Sequence, residues 1–214
     1  MAALAFAIKG ARHLLARDQH SFITVPVHVE TLSWTKTRHA YFSLLSKVEP
    51  QSLALLAPQI VGLNAGANAA LVAEWVIRFR PHMRRSFVHL NDHCDFSRSR
   101  VLGTTGLGFS VSSSMRVPKA PQESLAYQAA KLKRVCTYQH AVSYAQGVAT
   151  LPEMYLLKAQ GVRIMVGPII GEPTELPEGL GCLPFNAVGK TILHDDHVSM
   201  GYGSAPQPIS TRVH

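Results

Sequence analysis

The sequence predicts an α+β protein, in which helices are followed by a small sheet. The clearest helical signal is a set of apolar residues that recur at the spacing of one buried helical face. They are Leu125, Ala129, Leu132 and Cys136. Beyond Gly161, short alternating apolar segments separated by glycine and proline are typical of strands and turns. Since 47% of the 214 residues are hydrophobic, the chain has enough apolar side chains to form a core.

The N-terminal segment predicts a helix that also has the features of a targeting segment. Its first seventeen residues contain Lys9, Arg12 and Arg17 and no acidic residue. Four apolar residues share one side of the predicted helix: Leu4, Ile8, Leu14 and Leu15. An acid-free amphipathic start is typical of a mitochondrial targeting segment, so we expect residues 1–20 to be such a segment or an N-terminal extension. The alternative is an ordinary N-terminal helix.

Five segments of the first half predict, in order, a strand, a helix, a strand, a helix and a strand: residues 22–29, 41–48, 59–62, 69–80 and 86–90. Pro26 favours an edge or a bulge for the first strand, because proline lacks the backbone donor of a central strand. Pro81 ends the second helix. Residues 91–114, rich in serine, glycine and threonine, predict a long loop in which only 108–111 have strand character.

In the second half, a longer helix is predicted to begin near Gln122 and to continue to about Ala145. A short helix at 152–158 and a strand at 162–166 follow. The remaining segments with strand character are 183–188, 191–193 and 197–200.

Membrane and disulfide signals are weak. The most apolar stretch, residues 53–77, is interrupted by proline, asparagine and glutamate, so we expect no membrane span. Cys94, Cys136 and Cys182 are too widely spaced for a disulfide framework or a paired metal motif, and an odd number of cysteines suits a reducing compartment.

Positive charge is concentrated in residues 78–134. This segment has eleven basic and three acidic residues, which accounts for the whole net charge of +8. One basic segment in an otherwise near-neutral chain is typical of a polyanion contact, usually with RNA or DNA, and the alternative is a solvated surface without a partner. The predicted RNA-binding residues are Arg78, Arg80, Arg84, Arg85, Arg98, Arg100, Arg116, Lys119, Lys131, Lys133 and Arg134.

Two glycine-containing motifs suggest nucleotide binding but fail on spacing. The GKT segment 189–191 needs a glycine five residues before its own glycine to form a phosphate-binding loop, and Pro184 occupies that position. The GTTGLG segment 103–108 has its glycines in the wrong order for a dinucleotide fingerprint, so it predicts a flexible loop.

Histidine clusters provide the remaining candidates for chemistry. His89 and His93, with Cys94 beside the latter, lack a second pair of ligands at zinc spacing, so a polar loop is favoured over a metal site. The HDDH segment 194–197 more often forms a turn than an acid–base pair. With no nucleophile motif or paired carboxylates, we predict a protein that is not an enzyme and needs no metal or cofactor.

Four segments occur in the order and spacing of one known family: KLKRVCTYQHAVSYA (131–145), AQGVRIMVGPIIGEPTE (159–175), EGLGCLPFNAVGKTI (178–192) and Tyr202-Gly203. They resemble the C-terminal domain of ribosomal small-subunit protein three, the KH-containing protein of the ribosomal head. In the first half, SWTKTRHAYFSLL (33–45) resembles the N-terminal segment of that family. PQIVGLNAG (58–66) resembles its KH loop, with Gly62, Asn64 and Gly66 at the turn.

The resemblance implies a degenerate KH-like domain at 21–117, with the long loop 91–114. A small α/β C-terminal domain with a mixed or antiparallel sheet would follow at 118–214. It also implies a structural protein of the small ribosomal subunit, in the head near the mRNA entry, with rRNA, neighbouring ribosomal proteins and mRNA as partners. The acid-free N-terminal segment and a net charge that is low for a ribosomal protein predict a mitochondrial form. The alternatives are an accessory subunit of another mitochondrial complex, such as the respiratory chain or ATP synthase, and a small enzyme that uses His194, Asp195 and His197.

Overall fold

Six strands form one sheet, in the order in which they occur along the chain. A computed structural model describes residues 2–19, 21–63, 68–91, 101 and 103–170, which belong to the unit Met1–Leu180. The strands are β1 (Ile23–His28), β2 (Leu56–Val61), β3 (Phe87–His89), β4 (Gly106–Ser110), β5 (Val142–Gln146) and β6 (Ile164–Val166). Every neighbouring pair is parallel, so all carboxyl ends lie at one edge of the sheet.

One helix precedes β1, and the other described helices lie in the β1–β2, β2–β3, β4–β5 and β5–β6 connections, where the chain returns to the starting edge for the next parallel strand. The helices are α1 (Ala2–Ala16), α2 (Val29–Ser33), α3 (Thr35–Leu45), α4 (Pro50–Ala54), α5 (Ala69–Phe79), α6 (Ser113–Arg116), α7 (Leu125–Gln139) and α8 (Leu151–Ala159). A single 3-10 turn, Pro121–Glu123, precedes α7. Within the described residues, no helix is both long and apolar enough to cross a membrane.

The predicted α+β fold, with a KH-like domain and a mixed or antiparallel sheet, is wrong. The described strands are all parallel, and helices are described in four of their five connections, which is the α/β architecture of a half-barrel. Strands on both sides of residue 117 join the same sheet, since β4 pairs with β5 over Gly106–Ser110. The connections between the predicted strands are long enough for the helical crossovers that parallel pairing requires, but connection length alone does not fix the direction of a strand.

Strand β4 covers Gly106–Ser110. It includes the end of the segment 103–108, for which the sequence predicts a flexible loop, and part of 108–111, for which it predicts strand character. A Cβ at Gly106 would overlap the ring of Phe87, and a Cβ at Gly108 would overlap Tyr144. The two rings pack edge to face with their centroids 5.6 Å apart, and with Ala57 they form a buried cluster. The glycines therefore provide the space that these large side chains fill on one face of the sheet.

The sheet is strongly curved. Gln59 on β2 and Tyr144 on β5 are separated by two strands, yet the Gln59 amide donates a hydrogen bond of 3.0 Å to the Tyr144 hydroxyl. In a flat sheet, strands spaced about 4.8 Å apart would place these two backbones roughly 14 Å from each other. The contact therefore needs a curled sheet, and the face that carries both side chains is the concave inside of the half-barrel.

Helices cover the other face of the sheet. Leu4, Ala11 and Leu14 of α1 are buried, and α1 packs on β1. Phe79 of α5 is fully buried and packs edge to face on Tyr41 of α3, with the ring centroids 6.0 Å apart. The expectation that residues 1–20 are a mitochondrial targeting segment or an N-terminal extension stays a prediction.

Helix α7 is shorter than predicted. It ends at Gln139, and the backbone of the following His140 adopts the left-handed conformation with a φ of +55°. The expected continuation to Ala145 is wrong, because Val142–Gln146 forms β5 between two neighbouring strands. The apolar spacing after His140 fitted a helix, but burial between β4 and β6 fixes it as a strand.

Candidate functional site

Polar side chains from four strands form a hydrogen-bonded row on the concave face. We call this row the polar network: Gln59, His89, Ser110, Tyr144 and Gln146. His89, Ser110 and Gln146 are the last residues of β3, β4 and β5, so the row reaches the carboxyl edge of the sheet. In α/β barrels this edge is where ligands bind and react.

The network is continuous from one end to the other. The Gln146 amide nitrogen donates to the Gln59 Oε1 over 3.4 Å. Gln59 Nε2 in turn donates to the Tyr144 hydroxyl over 3.0 Å, and that hydroxyl lies 3.3 Å from His89 Nδ1. The other imidazole nitrogen, Nε2, lies 3.2 Å from the Ser110 hydroxyl.

Burial keeps the network uncharged. Gln59 and Tyr144 are each only 4% exposed, a depth at which an unpaired polar group is costly. Burial lowers the pKa of His89 from its ordinary value of 6.5, so its imidazole is neutral near pH 7. Burial also raises the pKa of Tyr144, opposed in part by the hydrogen bond from Gln59. Ser110 is exposed, so the network meets solvent there.

A second group of residues, which we call the β1 rim, lies where the chain leaves β1: His28, Glu30 and Trp34. The backbone amide of Glu30 donates to His28 Nδ1 over 3.3 Å, and the Glu30 carboxylate lies 3.6 Å from the same nitrogen. Trp34, which precedes α3, is 71% exposed. The imidazole of His28 lies against Gly62, whose φ is +80°.

Two basic residues lie at the carboxyl edge, in the connection from β4 to α7. Arg116 donates to the Glu153 carboxylate over 2.6 Å and to the carbonyl of Gly147 over 2.8 Å. Lys119, together with Tyr127 and other residues, lines a surface cavity of 540 Å³. The carboxyl edge therefore carries two basic side chains, of which Arg116 is paired with Glu153.

The described carboxylates near this edge are mostly engaged. Both oxygens of Glu153 are occupied, one by Arg116 and the other by the backbone amides of Ala149 and Thr150. Burial raises the pKa of Glu153, but these hydrogen bonds outweigh it and hold the pKa below its ordinary value. Glu123 accepts the amide of Lys119 over 3.0 Å. Within the described chain, no cluster of three or more histidine, cysteine or acidic residues is placed to hold a metal ion.

The predicted RNA-binding residues are dispersed over the fold. Arg78 lies in the last turn of α5, and Arg80, Arg84 and Arg85 follow between α5 and β3, at the amino edge. Arg116 and Lys119 lie at the carboxyl edge, and Lys131, Lys133 and Arg134 lie on α7. Arg98 and Arg100 lie outside the described residues. Some have intramolecular partners, since Arg78 pairs with Glu74 and Arg85 lies 5.4 Å above the Phe22 ring. The described members therefore do not form one basic face.

Other predicted site residues fall partly outside the described chain. Gly62 follows β2, whereas Asn64 and Gly66 of the expected KH loop are not among the described residues. The same is true of His93, of the GKT segment 189–191 and of the HDDH segment 194–197.

Sequence reasoning singled out His89 but missed the rest of the polar network. A signal was present in β2, because Gln59 is a polar residue in the middle of an apolar strand. A buried polar residue in such a run is informative, since it needs a partner inside the fold. Its partners come from strands distant in sequence, so the sequence alone does not reveal them.

No protein-family model and no curated protein matches this sequence. Solved structures do share its fold. One is the YkuI protein of Bacillus subtilis, an EAL-domain protein in complex with c-di-GMP and calcium. It has a TM-score of 0.62 at 12% identity, over 84% of this chain and 45% of that one. This chain therefore spans less than half of that protein.

Two further structures show the same likeness. An EAL-domain protein from Listeria monocytogenes matches with a TM-score of 0.60 at 10% identity, over 92% of this chain and 72% of that one. The PaMucR phosphodiesterase, in complex with c-di-GMP, matches with a TM-score of 0.59 at 14% identity, over 78% and 74% of the two chains. At these identities the likeness establishes the fold.

These findings correct the expected identity. The resemblance to ribosomal small-subunit protein three is wrong, because the fold is the parallel half-barrel of EAL-domain structures. The ribosomal role, the accessory-subunit alternative and the partners rRNA, mRNA and ribosomal proteins are corrected with it, since two of these structures are complexes with c-di-GMP instead. The prediction that the chain is not an enzyme is corrected too, because a phosphodiesterase has this fold.

Proposed function

We propose that this chain is a domain of the c-di-GMP phosphodiesterase type, which binds a cyclic dinucleotide at the carboxyl edge of its half-barrel. The observation that carries the proposal is the polar network, which reaches that edge and opens to solvent at Ser110. The fold supports it, since two of the structures that share it are complexes with c-di-GMP.

The phosphodiester would lie over the exposed end of the network. His89 and Ser110 are neutral hydrogen-bonding groups at the ends of neighbouring strands, and phosphate oxygens accept hydrogen bonds from such groups. Lys119 supplies a basic side chain at the same edge, where Arg116 is already paired with Glu153. A cation attracts an anionic ligand over a distance of about a Debye length, roughly 8 Å at physiological salt.

The β1 rim is suited to a purine base. The exposed indole of Trp34 offers a flat face for stacking, an interaction that contributes about 1–3 kcal/mol per base. Nearby in sequence, Glu30 has a carboxylate that is a pure acceptor, and guanine presents two N–H donors on its Watson–Crick edge. Guanine would therefore be favoured over adenine at this position.

The Bacillus structure contains calcium, and a site for such a metal needs ligands that the described residues of this chain would have to supply. Divalent calcium and magnesium take several oxygen ligands, chiefly carboxylates. Among the described residues, Glu30 is the carboxylate nearest a strand end, while Glu153 and Glu123 are engaged elsewhere. The described residues therefore do not fit such a site. The proposed activity is recognition of the phosphodiester, and its cleavage is measured directly.

Calorimetric titration of c-di-GMP into the full chain tests the proposal, with chromatography of the same samples to detect a linear product. We expect saturable 1:1 binding, which Trp34→Ala weakens about tenfold, the equivalent of 1.4 kcal/mol within the stacking range. The control is Tyr138→Ala, an exposed aromatic residue on α7 near the amino edge, which should leave the affinity unchanged. No binding at millimolar ligand contradicts the proposal.

A further inference from the structure

We infer that Tyr144 is a positioning residue: it fixes His89 in the form that carries its proton on Nε2, so that the imidazole and Ser110 act as donors to the ligand. The inference rests on the proposed function for the identity of the ligand, a phosphodiester. It assigns a direction to every hydrogen bond in the polar network.

The direction follows from the Tyr144 hydroxyl. Among the described residues, this buried group has two hydrogen-bonding neighbours, Gln59 and His89. Gln59 presents its amide nitrogen, which can only donate, so the Tyr144 oxygen accepts there. The hydroxyl proton is then left to His89 Nδ1, because a buried O–H without an acceptor is costly.

The Gln59 orientation is supported on its other side. Gln59 Oε1 faces the amide nitrogen of Gln146, the donor at the start of the network. With its oxygen occupied by Gln146, Gln59 has only its nitrogen to offer Tyr144. The two glutamines therefore fix one donor-to-acceptor direction for the hydrogen bonds of the network, from Gln146 towards His89.

The consequence for His89 is a fixed tautomer. A neutral imidazole carries one proton, and Nδ1 accepts from Tyr144, so the proton lies on Nε2. Nε2–H then points to the Ser110 oxygen 3.2 Å away. Because Ser110 accepts this bond and is exposed, its own hydroxyl proton is available to a ligand oxygen, as is Nε2–H when Ser110 rotates.

Nitrogen-15 NMR of the full chain tests the tautomer without any ligand. We expect a pyridine-type nitrogen at His89 Nδ1 and a pyrrole-type, protonated nitrogen at Nε2. In Tyr144→Phe, which removes only the hydroxyl, the two tautomers should mix and both signals should move towards intermediate shifts. Tyr138→Phe on α7 is the matched control and should change neither signal. A protonated Nδ1 in the wild-type chain overturns the inference, since the row would then run in the opposite direction.

Binding measurements separate this inference from the proposed function. We expect Tyr144→Phe and Ser110→Ala each to weaken c-di-GMP binding about five- to tenfold, while Tyr138→Phe binds like the wild type. Binding that is unchanged in Tyr144→Phe, although the tautomer has shifted, overturns the positioning role. If the wild-type chain shows the expected tautomer but binds no c-di-GMP, the proposed function fails and the assigned direction of the network stands.

Discussion

Single residues determine what the concave face can hold. Gly108 makes room for Tyr144, and the hydroxyl of Tyr144 connects Gln59 to His89. A substitution at one of these positions therefore changes hydrogen bonds on three other strands. The sequence predicted none of this, because the side chains that meet are brought together by curvature of the sheet and not by spacing along the chain.

We expect a pH-dependent stability from His89. Burial holds its pKa in the folded state below 6.5, so below that pH the unfolded chain takes up a proton that the folded chain does not. Stability is therefore constant above pH 6.5 with respect to this group and is lost as the pH falls below it. Nearby groups that face the imidazole are the Tyr144 hydroxyl and the Ser110 hydroxyl, both neutral in this range.

Urea unfolding at pH 7.5 and pH 5.5 measures this effect. His89→Gln should lose less stability between the two pH values than the wild type does, since its side chain does not titrate. His39→Gln, at an exposed position of α3, should behave like the wild type. Equal losses in the wild type and in His89→Gln contradict the expected contribution of the buried imidazole.

Gly62→Ala should destabilise the fold more than Gly161→Ala. Both glycines have a positive φ, +80° and +83°, so alanine is strained at either position by about 1–2 kcal/mol. Only at Gly62 would the added methyl group also overlap a side chain, the imidazole of His28. At Gly161 the nearest atom is 3.7 Å away. Chemical denaturation of both variants gives the difference, and equal costs would show that His28 moves freely.

At the scale of elements, sequence patterns were informative. The segments predicted for β1, β3, α5 and α8 lie within a few residues of the observed ones. Their signals are local: β-branched alternation in β1, a shared apolar face in α5 and Pro152 at the start of α8. For the start of β4 and for β5 the local signal was misleading, because glycine favours a loop and the residues after His140 continue a helical spacing. Pairing with neighbouring strands fixes the extended conformation of both segments.

Helix α8 depends on its first turn. Thr150 accepts the amide of Glu153, and the Glu153 carboxylate accepts the amide of Thr150, a reciprocal capping box. We expect Thr150→Ala to lower the free energy of unfolding by about 1 kcal/mol, as measured by urea denaturation. Thr137→Ala is the control, because the Thr137 hydroxyl donates to the carbonyl of Lys133 within α7 and caps no helix end in the described part of the chain. A larger loss in the control would show that the box contributes little.

At the scale of the whole molecule, the order and direction of the strands could not be read from the sequence. Parallel pairing depends on how distant segments meet, and a family resemblance placed them in a different topology. The parallel order gives the molecule two unlike edges. Arg80 and Arg84 line a cavity of 420 Å³ at the amino edge, whereas the polar network opens at the carboxyl edge.

The two edges should respond differently to charge reversal. We expect Lys119→Glu to weaken c-di-GMP binding about tenfold, because repulsion acts within a Debye length of roughly 8 Å. Arg84→Glu, at the opposite edge, should leave the affinity within twofold of the wild type. Titrations at 50 and 300 mM salt provide a further check, since the effect of Lys119→Glu should shrink as salt rises. The reverse ranking of the two variants would place the ligand at the amino edge.

The reactivity of the buried Cys136 thiol reports how often helix α7 separates from the sheet. It lies on the face of α7 that packs on β4, 3.9 Å from the carbonyl of Leu107, and burial raises its pKa to about 12. Alkylating reagents attack the thiolate, so Cys136 is unreactive while α7 stays seated. In a chain with Cys94 and Cys182 replaced by serine, the labelling rate therefore counts how often α7 lifts from the sheet. A ligand that binds Ser110 on the concave face of β4 would therefore lower the labelling rate of Cys136, which lies on the other side of that strand.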